Sequence, residues 1–256
     1  MQVSPHHRRP SSSSFRAFGT PVSRLVFHYI ELMPRGSNSL QRLNGFMKRD
    51  LRIRVVSTSN SKYEAPGWDQ IYDMLLSLAK RIKSSGYKAE VIVGISRGGW
   101  PPARIMSDLL ENSNIANMKV EFYKDIGVRS KKPRITQPVT ANVRGKRVLV
   151  VDDVADSGHS LKVVANHLRL KGAEELKVCT IYLKPQSIFH PDFYAKTTRK
   201  WIIFPWERLE AVRLIAQHFN SDRAKVLSVV RELKGSGISS RLVRQLWSIF
   251  SYDGRD

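Results

Sequence analysis

The sequence predicts an α/β fold in which a parallel sheet is covered by helices on both faces. Short apolar, β-branched runs alternate with segments in which apolar residues recur at helical spacing. The apolar runs are nearly continuous, which is typical of strands that are buried on both sides. Parallel strands of this kind are joined by right-handed crossover helices, so few chain paths remain possible.

The first predicted elements lie between residues 68 and 124. Apolar side chains recur at helical spacing over 68–82, and Gly86 is expected to end this helix. The run EVIVGI (90–95) predicts a buried strand. A second helix is predicted in PPARIMSDLLE (101–111), because proline is tolerated in a first helical turn, and MKVEFYK (118–124) predicts the next strand.

The second group of elements follows a long basic stretch. Residues 125–146 are polar, without a strong period, so no element is predicted there. RVLVVDDV (147–154) predicts a buried strand, GHSLKVVANHLRLKG (158–172) a helix, and LKVCTIYLKP (176–185) another strand. After WIIFPWE the remaining segments have helical patterns. We therefore expect a main domain over 50–207 and a small helical C-terminal extension over 208–256.

Residues 1–49 differ in composition from the rest of the chain. They contain eight Lys or Arg, one acid (Glu31) and a serine run. A transit peptide has this composition, and so does an upstream stretch added by a wrongly chosen start codon, with Met33 or Met47 as the true first residue. The lack of a clear amphipathic period favours the second explanation. In both cases we expect this segment to lie outside the fold.

Charge and cysteine content narrow the function classes. The formal net charge of +21 implies polyanionic partners: nucleic acid, a membrane surface or small phosphorylated molecules. Cys179 is the single cysteine, which excludes an intrachain disulfide and fits a reducing, cytoplasmic location. No apolar run approaches the roughly 18 residues needed to cross a bilayer. We therefore expect a soluble protein without a membrane partner.

The segment GISRGGWPP is the first candidate site. Gly94, Gly98 and Gly99 flank Ser96 and Arg97 between a predicted strand and helix. Ligands of open α/β sheets bind at such carboxyl ends of strands, where glycines let backbone N–H groups surround an anion and an arginine can bind phosphate. The spacing matches neither a P-loop nor a dinucleotide-binding loop. Taken alone, the segment is better explained as a plain tight turn, since glycine is the default turn residue.

The segment VLVVDDVADSGHSL (148–161) is the second and stronger candidate. Asp152 and Asp153 are neighbours on a strand, so their side chains should point to opposite sides. Asp156 follows, and residues 157–160 begin a helix whose free N–H groups favour an anion. This order suits a 5-phosphorylated ribose, with acceptors for its hydroxyls and donors for its phosphate. A solvated acidic turn with a serine N-cap is the alternative, but like charges at a buried strand end argue against it.

This segment closely resembles the phosphoribosyl-diphosphate motif of type I phosphoribosyltransferases: apolar strand, paired acids, third acid, and hydroxyl-Gly-x-hydroxyl loop. GISRGGWPPARIMSDLL resembles the family's pyrophosphate loop, and the basic stretch 124–143 occupies the place of its flexible catalytic loop. TIYLKP and WIIFPWE are similar to the base-recognising elements of the xanthine/guanine branch. The resemblance covers about residues 60–207 and implies the type I phosphoribosyltransferase fold with helices on both faces.

The resemblance implies a role for each matching residue on the sugar and phosphate side. The pyrophosphate would be bound at the loop of Ser96, Arg97, Gly98 and Gly99. Asp152 and Asp153 would hold the ribose hydroxyls, with Asp153 also near Mg²⁺. The 5′-phosphate would be wrapped by Ser157, Gly158, His159 and Ser160. The two serines stand where threonine is commoner and keep the hydroxyl, whereas His159 occupies a variable position and is expected to be incidental.

Four further residues would bind the purine. Asp156 would lie close to N7, where it can accept a proton, and Lys184 would donate to the 6-oxygen. Trp201 would lie against the ring, and the backbone of Ile202 would read the 2-position edge. Both tryptophans of the WIIFPWE segment could instead be ordinary core residues.

The implied reaction is the Mg²⁺-dependent transfer of a 5-phosphoribosyl group from phosphoribosyl diphosphate to guanine, xanthine or hypoxanthine by a homo-oligomer, a dimer or tetramer. Carboxylates near the sugar and cations at the diphosphate match the charges that develop in such a transfer. A basic lid is expected to close over the site and exclude water, and it contains Arg129, Lys131, Lys132 and Arg134.

Two other functions compete with this interpretation. A regulator could keep the fold and bind nucleic acid through residues 222–247, which resemble two helices around a Gly-containing turn. The charge there is modest, with nine basic and six acidic residues from Glu207 onward, so nucleic acid is not the expected partner. An adenine or orotate enzyme is the second alternative, but the 6-amino group of adenine needs an acceptor where Lys184 offers a donor.

Overall fold

The computed structural model describes residues 61–123, 132–219 and 222–252. The described strands are β1 (Tyr63–Glu64), β2 (Val91–Ser96), β3 (Ile115–Tyr123), β4 (Lys132–Gln137), β5 (Arg147–Ala155), β6 (Glu175–Leu183), β7 (Phe193–Thr197) and β8 (Trp201–Ile202). The described helices are α1 (Trp68–Ser84), α2 (Trp100–Leu109), α3 (His159–Leu170), α4 (Arg208–Ala216), α5 (Asp222–Glu232) and α6 (Ser240–Tyr252).

The central sheet has the strand order β4-β3-β2-β5-β6-β7. Strands β3, β2, β5, β6 and β7 are mutually parallel, and β4 pairs antiparallel with β3 at one edge. Helices α1 and α2 share one core cluster with the sheet, while α3 belongs to the cluster on the other face. The predicted fold, a parallel sheet with helices on both faces, is therefore confirmed.

Strand β4 corrects the prediction for residues 125–146, where no element was expected. Its side chains are half-buried or exposed, so the strand carries no strong apolar pattern, and it exists because its backbone pairs with β3. Lys132 and Arg134 therefore lie on an edge strand. The other two expected lid residues, Arg129 and Lys131, lie outside the described residues.

The central strand β5 shows how the core leads to the candidate site. Leu149 and Val151 face the cluster of α1 and α2, and Val148 and Val150 face the cluster of α3. All four are at most 1% exposed. Because neighbouring side chains of a strand point to opposite faces, the apolar run fills both cores and then ends in two acids at the carboxyl edge of the sheet.

A second, two-stranded sheet carries the C-terminal helices. Strands β1 and β8 are parallel, and α4, α5 and α6 share a core with them that includes Tyr63, Ile203, Val212, Val229 and Val243. The backbone N–H of Ala65 donates to the Ser236 carbonyl over 2.7 Å, which ties β1 to the turn between α5 and α6. A domain boundary at residue 208 stays a prediction. Within the described residues, none of the helices is both long and apolar enough for a membrane crossing.

We expect the replacement Leu149→Ala to lower the free energy of unfolding by about 2–5 kcal/mol, because it leaves a cavity in a fully buried strand. Leu149 is 0% exposed, whereas Leu170, at the end of α3, is 88% exposed. Leu170→Ala is therefore the matched control, with an expected change within about 0.5 kcal/mol. Urea denaturation monitored by circular dichroism measures both, and equal effects would contradict this account of the core.

Candidate functional site

The structure brings the two sequence-predicted segments together at one edge of the sheet. Strands β2 and β5 are parallel neighbours, with Val91 opposite Val148 and Gly94 opposite Val151. Residues 97–99 follow β2 and residues 156–158 follow β5, so the two loops lie side by side at the carboxyl ends of the strands. This is the part of an open α/β sheet where ligands bind.

Gly98 and Gly99 leave no room for a side chain beside the paired acids. A Cβ atom at Gly98 would lie 1.8 Å from Asp153 Oδ2. A Cβ atom at Gly99 would lie 2.6 Å from the Val151 carbonyl oxygen and 2.7 Å from Asp152 Oδ1. The two carboxylates thus meet adjacent glycines of the neighbouring loop, and only glycine permits this close approach.

Asp152 and Asp153 are buried without a cation beside them. They are 9% and 8% exposed, and Asp152 Oδ1 accepts a hydrogen bond of 3.0 Å from the Asp153 backbone N–H. Burial raises the pKa of Asp152 well above its ordinary value, and the neighbouring Asp153 charge raises it further. Burial also raises the pKa of Asp153, to about 6. Among the described residues no lysine or arginine forms an ion pair with either acid.

The Asp153 carboxylate, which lines a cavity, is a ligand that fits Mg²⁺. Magnesium prefers carboxylate oxygens and is commonly held by one or two carboxylates together with waters and substrate phosphates. In the described ranges, no group of three or more His, Cys, Asp or Glu side chains is arranged to hold a metal ion. The protein would therefore supply part of the coordination, and a phosphorylated substrate the remainder.

The turn after β5 presents backbone donors at the start of α3. Gly158 has φ +79°, and a Cβ atom there would lie 2.6 Å from the Phe189 backbone N, so glycine is required. The first intrahelical hydrogen bond runs from the Lys162 N–H to the Gly158 carbonyl over 3.0 Å. The N–H groups before Lys162 have no intrahelical acceptor, so those of Ser160 and Leu161 can face an anion, while the His159 N–H contacts Ser157 Oγ.

The predicted residues of this turn differ in accessibility. Ser157, next to Asp156, is exposed, as is His159, and Ser160 is half-buried. The His159 backbone N–H lies 3.5 Å from Ser157 Oγ. Both serines therefore flank the start of α3.

A cavity of about 500 Å³ lies beside the acid pair. Its walls include five of the predicted site residues: Asp153, Asp156, Lys184, Trp201 and Ile202. Four further wall residues were not predicted: Val154, Arg199, Phe204 and Glu207. Phe204 and Glu207 belong to the segment WIIFPWE, which resembles a base-recognising element of the family. No pattern in the sequence pointed to Arg199.

Lys184 is a buried cation on the cavity wall. It is 8% exposed, and its Nζ donates to the Lys200 carbonyl, immediately before Trp201. Burial lowers the pKa of Lys184, and the charges of Asp156 and Glu64 oppose this shift. Asp156 itself is exposed and accepts a hydrogen bond of 3.1 Å from Gln186 Nε2.

The aromatic and acidic walls of the cavity are also held in place. Trp201 is 42% exposed and its ring centroid lies 5.5 Å from that of Tyr63, while Ile202 is buried. Burial raises the pKa of Glu207 to about 7, and the nearby Asp153 charge contributes to the shift. Acidic groups are therefore concentrated between the acid pair and the beginning of α4.

The loop after β2 is tied to the rest of the molecule on both sides. Ser96 Oγ donates to Asn117 Oδ1 over 2.9 Å, and the Ser96–Arg97 peptide bond is cis. The Arg97 guanidinium contacts both carboxylate oxygens of Glu210 on α4, at 2.9 and 2.8 Å. Ser96 is thus used in a structural hydrogen bond, and Arg97 stands exposed at the mouth of the site.

Comparison with known proteins identifies the same region of the chain. Residues 67–208, more than half of the sequence, match the family model described as phosphoribosyl transferase domain. The xanthine-guanine phosphoribosyltransferase of Idiomarina loihiensis is 32% identical over 143 residues, covering 55% of this chain and 84% of that protein. The corresponding protein of Gluconobacter oxydans is 28% identical over 147 residues, covering 57% and 84%.

Solved structures give a similar result. The purine phosphoribosyltransferase from Pyrococcus horikoshii is 37% identical with a TM-score of 0.53, covering 57% of this chain and 93% of that one. A hypothetical protein from Neisseria gonorrhoeae with bound ppGpp is 26% identical with a TM-score of 0.51, covering 57% and 90%.

The raised pKa of Asp153 predicts that this acid destabilises the folded protein at neutral pH. The Asp153 carboxyl ionises near pH 3.8 in the unfolded chain and near pH 6 in the folded chain, so this group lowers the stability of the fold as the pH rises from about 3.8 through 6. We expect Asp153→Asn to raise the free energy of unfolding by about 3 kcal/mol at pH 8 and to leave it nearly unchanged at pH 3.5.

Urea denaturation across this pH range measures the effect. Asp73→Asn, at an exposed position of α1, is the control and is expected to change the free energy of unfolding by no more than about 0.5 kcal/mol. A loss of stability at pH 8 in Asp153→Asn would contradict the interpretation of the acid pair as uncompensated.

Proposed function

Because the chain belongs to the phosphoribosyl transferase domain family, we propose that it transfers the 5-phosphoribosyl group of phosphoribosyl diphosphate to a 6-oxopurine, namely guanine, xanthine or hypoxanthine. The chain is a purine phosphoribosyltransferase by relationship, and its relatives carry the names xanthine-guanine and hypoxanthine phosphoribosyltransferase. The observation that carries the proposal is the cavity in which Asp153 and Asp156 face Lys184 and Trp201 at the carboxyl edge of the sheet.

The two loops bind different phosphate groups of phosphoribosyl diphosphate. Residues 157–160 bind the 5′-phosphate through the hydroxyls of Ser157 and Ser160 and the free N–H groups at the start of α3. The pyrophosphate binds at Gly98 and Gly99, with Arg97 as its cation, and Arg97 exchanges Glu210 for phosphate oxygens. Two glycines without side chains allow the diphosphate to approach the backbone.

The acid pair acts on the sugar. Asp152 and Asp153 accept hydrogen bonds from the two ribose hydroxyls. These hydrogen bonds compensate carboxylate charges that are otherwise buried without a partner. As the diphosphate leaves, positive charge builds on the ribose, and these fixed carboxylates stabilise it. Mg²⁺, held in part by Asp153, neutralises the diphosphate charge when it is bound.

The cavity positions the purine. Lys184 donates a hydrogen bond to the 6-oxygen, Trp201 packs against the ring, and the buried backbone at Ile202 contacts the 2-position edge. Asp156 accepts the proton that the imidazole ring of the purine loses, and the Gln186 side chain orients its carboxylate. Lys184 offers donors only, so a 6-oxo group is preferred to a 6-amino group.

The regulatory alternative has less support. The hairpin of α5 and α6 buries Val229, Leu233 and Val243 against β1 and β8, so these helices serve packing in the described part of the chain. The same proposal includes a requirement for Mg²⁺ and a dimeric or tetrameric assembly. It also includes a cytoplasmic location, which the single Cys179 favours.

Steady-state kinetics with five nucleobases test the proposed function. With phosphoribosyl diphosphate and Mg²⁺ we expect turnover of at least one of guanine, xanthine and hypoxanthine. The kcat/KM for adenine should be lower by about 100-fold or more, because its 6-amino group would leave the buried Lys184 donor unpaired, and orotate should also be a poor substrate. Addition of EDTA should abolish turnover. Absence of turnover on all three 6-oxopurines, together with salt-dependent DNA binding, would favour the regulator.

Replacing Asp156 tests its role as proton acceptor. Asp156→Asn keeps the shape of the side chain and removes the basic oxygen, so we expect kcat to fall by about 100-fold or more. The KM for phosphoribosyl diphosphate should stay within about threefold, since the change removes an interaction of the transition state. Asp73→Asn serves as the matched control. An unchanged kcat in Asp156→Asn would exclude this role.

A further inference from the structure

Glu64 lies outside every segment to which a role has been assigned, yet its carboxylate joins three parts of the chain. It accepts hydrogen bonds from Tyr182 Oη at 2.9 Å, Lys196 Nζ at 2.6 Å and Thr198 Oγ1 at 3.3 Å. The Glu64 side chain is only 19% exposed. Burial raises the pKa of Glu64, but the hydrogen bonds from Lys196 and Tyr182 outweigh it and hold this pKa below its ordinary value. Glu64 is therefore a fixed anion.

The backbone of Glu64 holds the strand that lines the base cavity. Glu64 is the register partner of Ile202, and its carbonyl accepts a hydrogen bond of 2.8 Å from the Ile203 N–H. The Trp201 N–H donates in the same way to the Lys62 carbonyl over 2.9 Å. Strands β1 and β8 have two residues each, and so short a pair is not stable by itself. Its position depends on what anchors it.

The side-chain partners of Glu64 lead to two other walls of the cavity. The Tyr182 ring meets Phe204 edge-on, with centroids 5.7 Å apart, and Phe204 lines the cavity. Lys184 follows Tyr182 by two residues and donates to the Lys200 carbonyl, one residue before Trp201. The charge of Glu64 also favours the protonated form of Lys184. Glu64 is thus linked, directly or through Tyr182, to the wall residues Ile202, Phe204 and Lys184, although it does not line the cavity itself.

We propose that Glu64 is a positioning residue for the purine: it fixes β8 and Lys184 in the arrangement that binds the base, without touching the base itself. The inference rests on the proposed function of this cavity. None of the hydrogen bonds of the Glu64 carboxylate involves the loops 97–99 or 156–160. Loss of the carboxylate should therefore weaken binding of the base and leave binding of the sugar phosphate intact, a selectivity that a merely structural role does not produce.

The experiment compares Glu64→Gln with Glu232→Gln. Glu232, on α5, forms an ion pair with Lys62, the residue before β1, and neither of these two residues lines the cavity. In Glu64→Gln the KM for the purine should rise roughly tenfold, as expected for loss of one charge-assisted hydrogen bond, while the KM for phosphoribosyl diphosphate stays within about twofold. Glu232→Gln should change neither constant. Lys184→Met gives the reference for direct loss of a base contact.

The outcomes separate the inference from the proposed function. A wild-type protein without turnover on any 6-oxopurine overturns the proposed function and the inference with it. With an active wild type, an unchanged KM for the purine in Glu64→Gln, or an equal rise of both constants, overturns the role of Glu64 alone. If Glu64→Gln does not fold, Tyr182→Phe removes one partner and keeps the ring, and a selective rise of about threefold in the purine KM is required.

Discussion

Two buried carboxylates at the end of the central strand are the constraint on which the rest of the site depends. Asp152 and Asp153 continue a strand whose apolar residues fill both cores, so they cannot turn towards water without disrupting β5. Burial and mutual repulsion raise the pKa of Asp152, which means that their charge is held at a cost. A ligand with hydroxyls and a divalent cation removes that cost. Under the proposed function, a sugar that carries phosphate groups would bind here because its hydroxyls and its metal ion compensate the buried charge.

The two buried carboxylates also affect the neighbouring loop 97–99 and helix α4. Gly98 and Gly99 are required because the carboxylates occupy the space of a side chain. Arg97, the nearest loop cation, is paired with Glu210 of α4, and Glu207 at the start of the same helix adds to the negative charge beside Asp153. Helix α4 also belongs to the core of β1 and β8. The helices beyond residue 207 thus contribute to the electrostatics of the site and to the support of its base cavity.

The sequence predicted the parts of the structure that bury apolar surface. Strands β2, β5 and β6 and helices α1, α2 and α3 have strong apolar patterns, and each was found where it was expected. Strand β4 was missed because it depends on pairing with β3, and the short pair β1–β8 because two residues carry no periodicity. In the site, the loops 97–99 and 156–160 were predicted because each is a continuous motif that can be recognised in the sequence. Arg199 and Glu64 were not, because only the fold brings them to Lys184 and Trp201.

A structure of the protein with guanosine 5′-monophosphate and Mg²⁺ tests the central claim most directly, because it locates the sugar phosphate on the strand ends. The account predicts phosphate oxygens about 3 Å from the N–H groups of residues 157–160, and both ribose hydroxyls turned towards Asp152 and Asp153. A nucleotide bound elsewhere, or one whose phosphate leaves that turn without a partner, would contradict it.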